Sequence, residues 1–321
     1  MKSELMEATD DAIVAARVVS DRTHTSSSIA NPRVILSFDV EEHHQIEAAA
    51  NLAIESRIQR NSQLRVEPAT QWLIDQLDMR CIKATFFIVG VVAERNKSLV
   101  RRIHDGGHEV ASHSWCHERI HRLTPGTFCD DVRRSKDVLE QIIGAPVFGY
   151  RAPTFSVVRQ TAWALDLLAD LGLLYDSSIY PVRHDRYGVP GAPREPFWAS
   201  GPRRSILELP PLTLRLLGFN LPVGGGGYFR HLPFMMMQHA LRQMRRGFRV
   251  PVAMLYFHPW EFDTDQLQLP LKRLSRFRTY GGISRGRGRL QRLLDGNCFE
   301  RAIDAVRWII SSGTSLERQP I

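Results

Sequence analysis

PRVILSFDVEE, residues 32–42, decides the fold. Val34 to Phe38 is an apolar run interrupted only by Ser37, the pattern of a strand buried on both faces rather than on one. The sequence then turns acidic at once, in Asp39, Glu41, Glu42 and the following His43 and His44. A buried strand that ends in a carboxylate cluster is the opening of an α/β architecture whose strand ends carry the chemistry.

Outward from this segment the same unit recurs. KATFFIVG (83–90), HEVASHS (108–114), PVFGYRAP (146–153), SILELP (205–210) and PVAMLYFHP (251–259) read as strands. EPATQWLIDQLD (67–78), LVRRIHDGG (99–107), LTPGTFCDDVRRSKDVLEQIIG (123–144), VRQTAWALDLLADLG (158–172), LPFMMMQHALRQMRRG (232–247) and FERAIDAVRWII (299–310) have helical spacing, with Pro68 as a first-turn residue of the first. Strands alternating with helices predict βα units with parallel strands, hence an open α/β sheet or an α/β barrel. No glycine-rich phosphate loop follows the first strand, which argues against a dinucleotide fold.

Composition sets the outer limits. The 321 residues are 43% apolar and 24% charged, enough for a large core without disulfides. The 22 Gly and 18 Pro follow no repeat, which excludes collagen-like and low-complexity classes. Four cysteines without a CxxC fit a reducing compartment. The longest apolar stretch, VPVAMLYF at 250–257, is far short of the roughly 20 residues a membrane span needs. Residues 1–32 carry acids where a secretory signal needs bases, and are expected to be a disordered extension. Residues 33–311 are expected to form a single catalytic domain and 312–321 a flexible tail, in a cytoplasmic protein that could lie at the inner-membrane surface. The formal charge is +8, and residues 242–292 alone hold 12 Lys/Arg against Glu261, Asp263 and Asp265, a balance of +9. That excess permits an anionic partner.

The strand ends are the informative positions. Alternation puts Asp39 and Glu41 on one face of the first strand, where one carboxylate can ligate a metal and the other act as a base. His113 and His117 follow the third strand at i and i+4, on one face if the turn is helical, a usual pair for a divalent ion. Arg151-Ala152-Pro153 ends the fourth strand, where the arginine can hold a carboxylate in a bidentate pair. Asp176 lies in YDSSIYP (175–181), and His258 leaves the last strand as a candidate general acid. Each motif alone is ordinary; their order and placement at strand ends is not.

Together SFDVEE, HSWCH, RAP, DSS and FHP resemble the five motifs of the polysaccharide deacetylase family with the NodB homology domain, a carbohydrate esterase group. The resemblance covers about residues 33–310. Through DVEE, RAPTFS (151–156), YDSSIYP, LPVGGGGYFR (221–230) and HPWE (258–261) it is closest to the subgroup associated with exosortase and exopolysaccharide loci. It implies a distorted (β/α) barrel and metal-dependent removal of N-acetyl groups from a poly- or oligosaccharide during exopolysaccharide synthesis. It implies a divalent ion, Zn²⁺ first, with Co²⁺ or Ni²⁺ as alternatives, held by His113, His117 and one carboxylate. Strand alternation favours Glu41 for that carboxylate; linear matching to an acidic fourth position favours Glu42. Asp39 is implied as base, Arg151 as its partner, and His258 as acid with Asp176 raising its pKa. Pro153, Tyr228 and Trp260 are implied at the sugar, Gly224–Gly227 as a tight loop over the groove, and Phe229 as equally a core or a stacking residue. Partners would be an N-acetylated glycan, an exopolysaccharide-synthesis complex and a membrane periphery.

Two other classes remain in view. One is another C–N hydrolase acting on an amide or formamide; the second is a carbohydrate-binding protein without turnover, which the reactive residue at every motif position disfavours. Nucleic acid is not expected as a partner: the run Arg285-Gly-Arg287-Gly-Arg289 has no accompanying recognition signature. The basic segment brackets His258 and is read instead as one rim of a sugar cleft.

Overall fold

The computed structural model describes residues 32–184 and 186–321, so the expected N-terminal extension falls, apart from Pro32, outside the described residues. The strands are β1 (Arg33–Val40), β2 (Thr85–Ile88), β3 (Glu109–Ser112), β4 (Gly149–Tyr150), β5 (Tyr175–Asp176), β6 (Phe197–Ser200), β7 (Ser205–Glu208), β8 (Thr213–Leu216), β9 (Phe219–Pro222), β10 (Val252–Phe257) and β11 (Arg318–Pro320). Among the described residues nine of them form one sheet in the order β10-β1-β2-β3-β4-β5-β7-β6-β11, and β8 and β9 form a separate hairpin. Pairing is parallel from β10 to β7 and turns antiparallel at β6.

The order has two ends, so the expected barrel is a curled half-barrel rather than a closed one. Its curl is visible in one contact. Arg151 follows β4, yet its guanidinium hydrogen-bonds Ser37 at 2.9 Å and Asp39 at 2.5 Å on β1, across β2 and β3. In a flat sheet three strand spacings amount to about 14 Å, beyond a side chain's reach.

β1 is apolar throughout because both its faces are covered. Leu36 and Phe38 pack with Leu73, Leu77 and Ile103 of the flanking helices. Ile35 packs on the other side with Ala302, Val306 and Ile309 of the closing helix Ala302–Ser311.

Four local readings need correction. The first helix runs Ser56–Asp78, with Pro68 inside it rather than in its first turn. The bond Pro68 cannot make would go to the carbonyl of Leu64, and Leu64 stands in solvent, where water can serve that group. The tail expected to be flexible adds β11 in parallel to the otherwise free edge of β6, with Trp198 N–H donating to the Glu317 carbonyl at 2.8 Å. Strand β6 and the β8–β9 hairpin are not among the expected strands; each strand is only four residues long, at the short end for a strand.

Gly224–Gly227 is not a free loop over the groove, although Gly226 and Gly227 line it. Tyr256 N–H donates to the Gly224 carbonyl at 2.9 Å, Gly225 bridges to Tyr256 on β10, and Gly226 opens the helix Gly226–His231. A Cβ on Gly225 would lie 1.6 Å from the Tyr256 carbonyl oxygen, and its φ of 156° with ψ of −157° is a conformation for glycine alone. Gly225→Ala is therefore expected to destabilise the fold by about 3 kcal/mol or more, read as a lowered urea midpoint. A wild-type midpoint would refute this.

Candidate active site

Asp39 and Glu41 reach the mouth of the half-barrel from the end of β1, His113 from the end of β3, Arg151 from β4 and His258 from β10. His117 arrives differently from the sequence reading. The segment after β3 is no helical turn. It folds back through left-handed backbone at Ser114 (φ 64°) and His117 (φ 62°). Ser114 Oγ accepts from His117 N–H at 2.8 Å, and Asp131 accepts from Trp115 N–H at 2.8 Å, which fixes the loop. The two imidazoles converge with ring centroids 5.0 Å apart.

Glu41, His113 and His117 form a group whose potential ligand atoms all lie within 4.8 Å of one another. His117 Nε2 is 2.6 Å from Glu41 Oε2. His113 Nδ1 is 2.8 Å from the Arg151 carbonyl, to which its N–H donates, so its Nε2 lone pair faces the group. Trp260 Nε1–H donates to Glu41 Oε1 at 2.9 Å, fixing the carboxylate. Burial pushes the Glu41 carboxyl up, but His117 and then His258 outweigh it and hold it well below the usual range. Burial pushes His113 down to about 4 against the opposing pull of Asp39, so its ring is neutral. One ionised carboxylate and two imidazoles, oriented by outer hydrogen bonds, suit a divalent ion with coordination positions left open.

Glu42 is not in this group. Strand alternation turns it away, and its carboxylate pairs with Arg95 at 2.7 Å and with His44 at 3.4 Å.

Arg151 is fully buried and held on every side. Besides Ser37 and Asp39 it donates from Nε to the Ser177 carbonyl at 3.2 Å and from its second NH₂ to Ser177 Oγ at 3.0 Å, and its guanidinium lies 4.0 Å from the Phe87 ring centroid. Asp39 is thereby fixed with Oδ2 3.8 Å from His258 Nε2. His258 in turn donates from Nδ1 to Glu261 Oε2 at 3.2 Å, and Glu261 is clamped by buried Arg230 at 3.0 Å. Burial pushes His258 down; Glu41, the hydrogen bond to Glu261 and Asp39 together overcome this and raise it to about 9.

Glu261, not the expected Asp176, is the carboxylate hydrogen-bonded to His258 Nδ1. Asp176 is buried beneath the site, accepts from Ser178 Oγ and faces Glu208. Glu261 sits three residues after His258, inside the quoted HPWE, and that spacing is the signal that finds it. Arg230, Ser37 and Ser177 carry no comparable signal, because their partners are distant in sequence. Pro153 is buried in the turn Pro153–Phe155, while its neighbours Ala152 and Thr154 line the cleft. Tyr228 and Trp260 do line it, with Tyr187 and Arg278. Trp260 is flanked by His258 at 5.3 Å and His43 at 5.2 Å, so its first task is to support the site. Phe229 is core, packed on Phe257 at 4.8 Å.

Among the described residues Asp176 Oδ2 and Glu208 Oε2 have no other partner, and a proton held between the two carboxyls would satisfy both. Burial raises Glu208 well above the ordinary value, with Asp176 adding to it, and burial lifts Asp176 to about 6. A carboxyl raised in the folded state contributes most below its unfolded pKa and loses that contribution as pH rises through the folded one. Stability should therefore fall as pH climbs above about 4.5, at up to about 1.4 kcal/mol per pH unit for each extra proton held. Glu208→Gln should flatten that fall, seen in melting temperatures across pH 5 to 9. An unchanged slope would contradict the shared proton.

Residues 54–175 match the family model for polysaccharide deacetylases, and residues 177–307 match a domain of unknown function, DUF3473. Over 99 residues, 30% of this chain, it is 28% identical to the peptidoglycan-N-acetylglucosamine deacetylase of Bacillus cereus, and it covers only 36% of that relative's length. A solved structure from Mycobacterium smegmatis, assigned as a polysaccharide deacetylase, shares the fold over 93% of this chain and 96% of its own, with TM-score 0.58 and 20% identity. The structure of Puue allantoinase does so over 92% and 96%, with TM-score 0.60 and 15% identity.

Proposed function

Because residues 54–175 belong to the polysaccharide deacetylase family, we propose that this protein hydrolyses the N-acetyl group of an N-acetylated sugar in a poly- or oligosaccharide. The observation that carries the reading is the Glu41–His113–His117 group lying beside the Asp39–Arg151 pair and under His258 Nε2.

The three-residue group would hold a divalent ion, Zn²⁺ by donor type, which polarises the amide carbonyl and acidifies the attacking water when bound. Asp39, fixed by Arg151, accepts the proton of that water. His258 has its Nδ1–H tied to Glu261, so Nε2 is the atom that delivers a proton to the departing nitrogen as the C–N bond breaks. The products are acetate and a free amine. Tyr228, Tyr187 and Arg278 on the cleft wall would meet the sugar. The exopolysaccharide context rests on the motif resemblance, and a glycan made during such synthesis is the substrate class it favours.

The test is acetate release from N-acetylated oligosaccharides with and without chelator. Release that chelator abolishes and Zn²⁺ restores is expected. Turnover of small cyclic amides without acetate release would reassign the reaction, and metal-independent release would overturn the roles given to Glu41, His113 and His117.

A further inference from the structure

The β8–β9 hairpin closes through Leu217-Gly218, both in left-handed backbone, at φ 49° and 83°. Such a turn favours Asn-Gly; leucine adopts it at a conformational cost. Leu217 is also 88% exposed, and its neighbours Phe219 and Leu216 are 66% and 48% exposed. Neither local propensity nor core packing accounts for three large apolar side chains at this tip.

Beside the tip lies a groove walled by Arg194, Arg215, Arg242 and Arg246, with His239, and among the described residues no carboxylate lines it. Gln243 fastens the hairpin to the groove: its Oε1 accepts from Arg215 N–H at 3.0 Å, and its Nε2 donates to the Arg215 carbonyl at 2.9 Å. Arg194 is held by Thr213 at 2.8 Å, and the nearby Glu195 is occupied by the Val250 N–H at 2.7 Å. Among the described residues Arg242 and Arg246 have no ion-pair partner.

We propose that this hairpin and groove dock on an anionic lipid bilayer. Leu216, Leu217 and Phe219 enter the boundary between headgroups and acyl chains, while the arginines meet lipid phosphates. The combination selects the occupant. A second copy would bring unpaired arginines against arginines. A neutral glycan would supply neither an anion for the arginines nor an apolar medium for Leu216 and Leu217. None of these residues lines the catalytic cleft, so the inference stands apart from the deacetylase reading.

The test is cosedimentation of the full chain with vesicles of phosphatidylglycerol and phosphatidylcholine in equal parts, against phosphatidylcholine alone. Binding to the first and not the second is expected. Leu217→Asn, which suits the turn better and so keeps the fold, should weaken it about tenfold or more, as should Arg242→Gln with Arg246→Gln. Acetate release from a soluble oligosaccharide should be unchanged in both variants. Absence of vesicle binding, or binding that neither variant moves, overturns the proposal. So does a dimer that Leu217→Asn disperses without lipid, which would assign the surface to self-association.

Discussion

Asp39→Asn is expected to lower acetate release about a thousandfold or more, the effect of removing a positioned base. Asparagine fills the same space and still accepts from Arg151, but it cannot take a proton from water. The variant should also be less stable. Arg151 is wholly buried, and Asp39 is the one carboxylate it pairs with among the described residues. An uncompensated charge in such a place costs about 3–5 kcal/mol. Urea unfolding separates the two effects. Adding Arg151→Met should recover much of the stability and none of the activity, since it removes the orphaned charge without supplying a base. If Asp39→Asn kept wild-type turnover, the base would have to be another group. The pair is thus better understood as a positioning device than as a source of stability.

His113→Ala should abolish turnover and weaken binding of the divalent ion by at least about a hundredfold, since even outer-shell losses reach that size. The ring is buried and its Nδ1–H bond to the Arg151 carbonyl would be lost, so circular dichroism must confirm a native fold. Metal content of the purified chain, measured by atomic emission, is the readout that does not depend on activity. Glu41→Gln should behave in the same way, whereas Glu42→Gln should keep its metal and only release Arg95. Wild-type metal content and activity in His113→Ala would remove this group from the mechanism.

The two family models meet near residue 176, but the structure has no seam there. The C-terminal match supplies β10, which pairs with β1 along six residues, and β7, which pairs with β5. It also supplies His258, Glu261 and Arg230 to a site whose Asp39 and Glu41 precede both matches. Half-barrel and site are built from both segments.

By itself the sequence determined the βα alternation, the buried first strand and the strand-end positions of Asp39, Glu41, His113, Arg151 and His258. These are legible because side-chain period and strand burial are local properties of the chain. Tertiary structure decided what depends on contacts between distant segments. Strand alternation favours Glu41 over Glu42, but only the fold brings Arg95 to Glu42 and Trp260 to Glu41. Glu261 rather than Asp176 serves His258 because β5 places Asp176 against Glu208 of β7. The glycine run both packs on β10 and lines the cleft: at Gly225 the Tyr256 carbonyl leaves no room for a Cβ, while Gly226 and Gly227 face the cavity. Side-chain direction and close approach are set by which strands neighbour one another, and no window of the sequence contains that information.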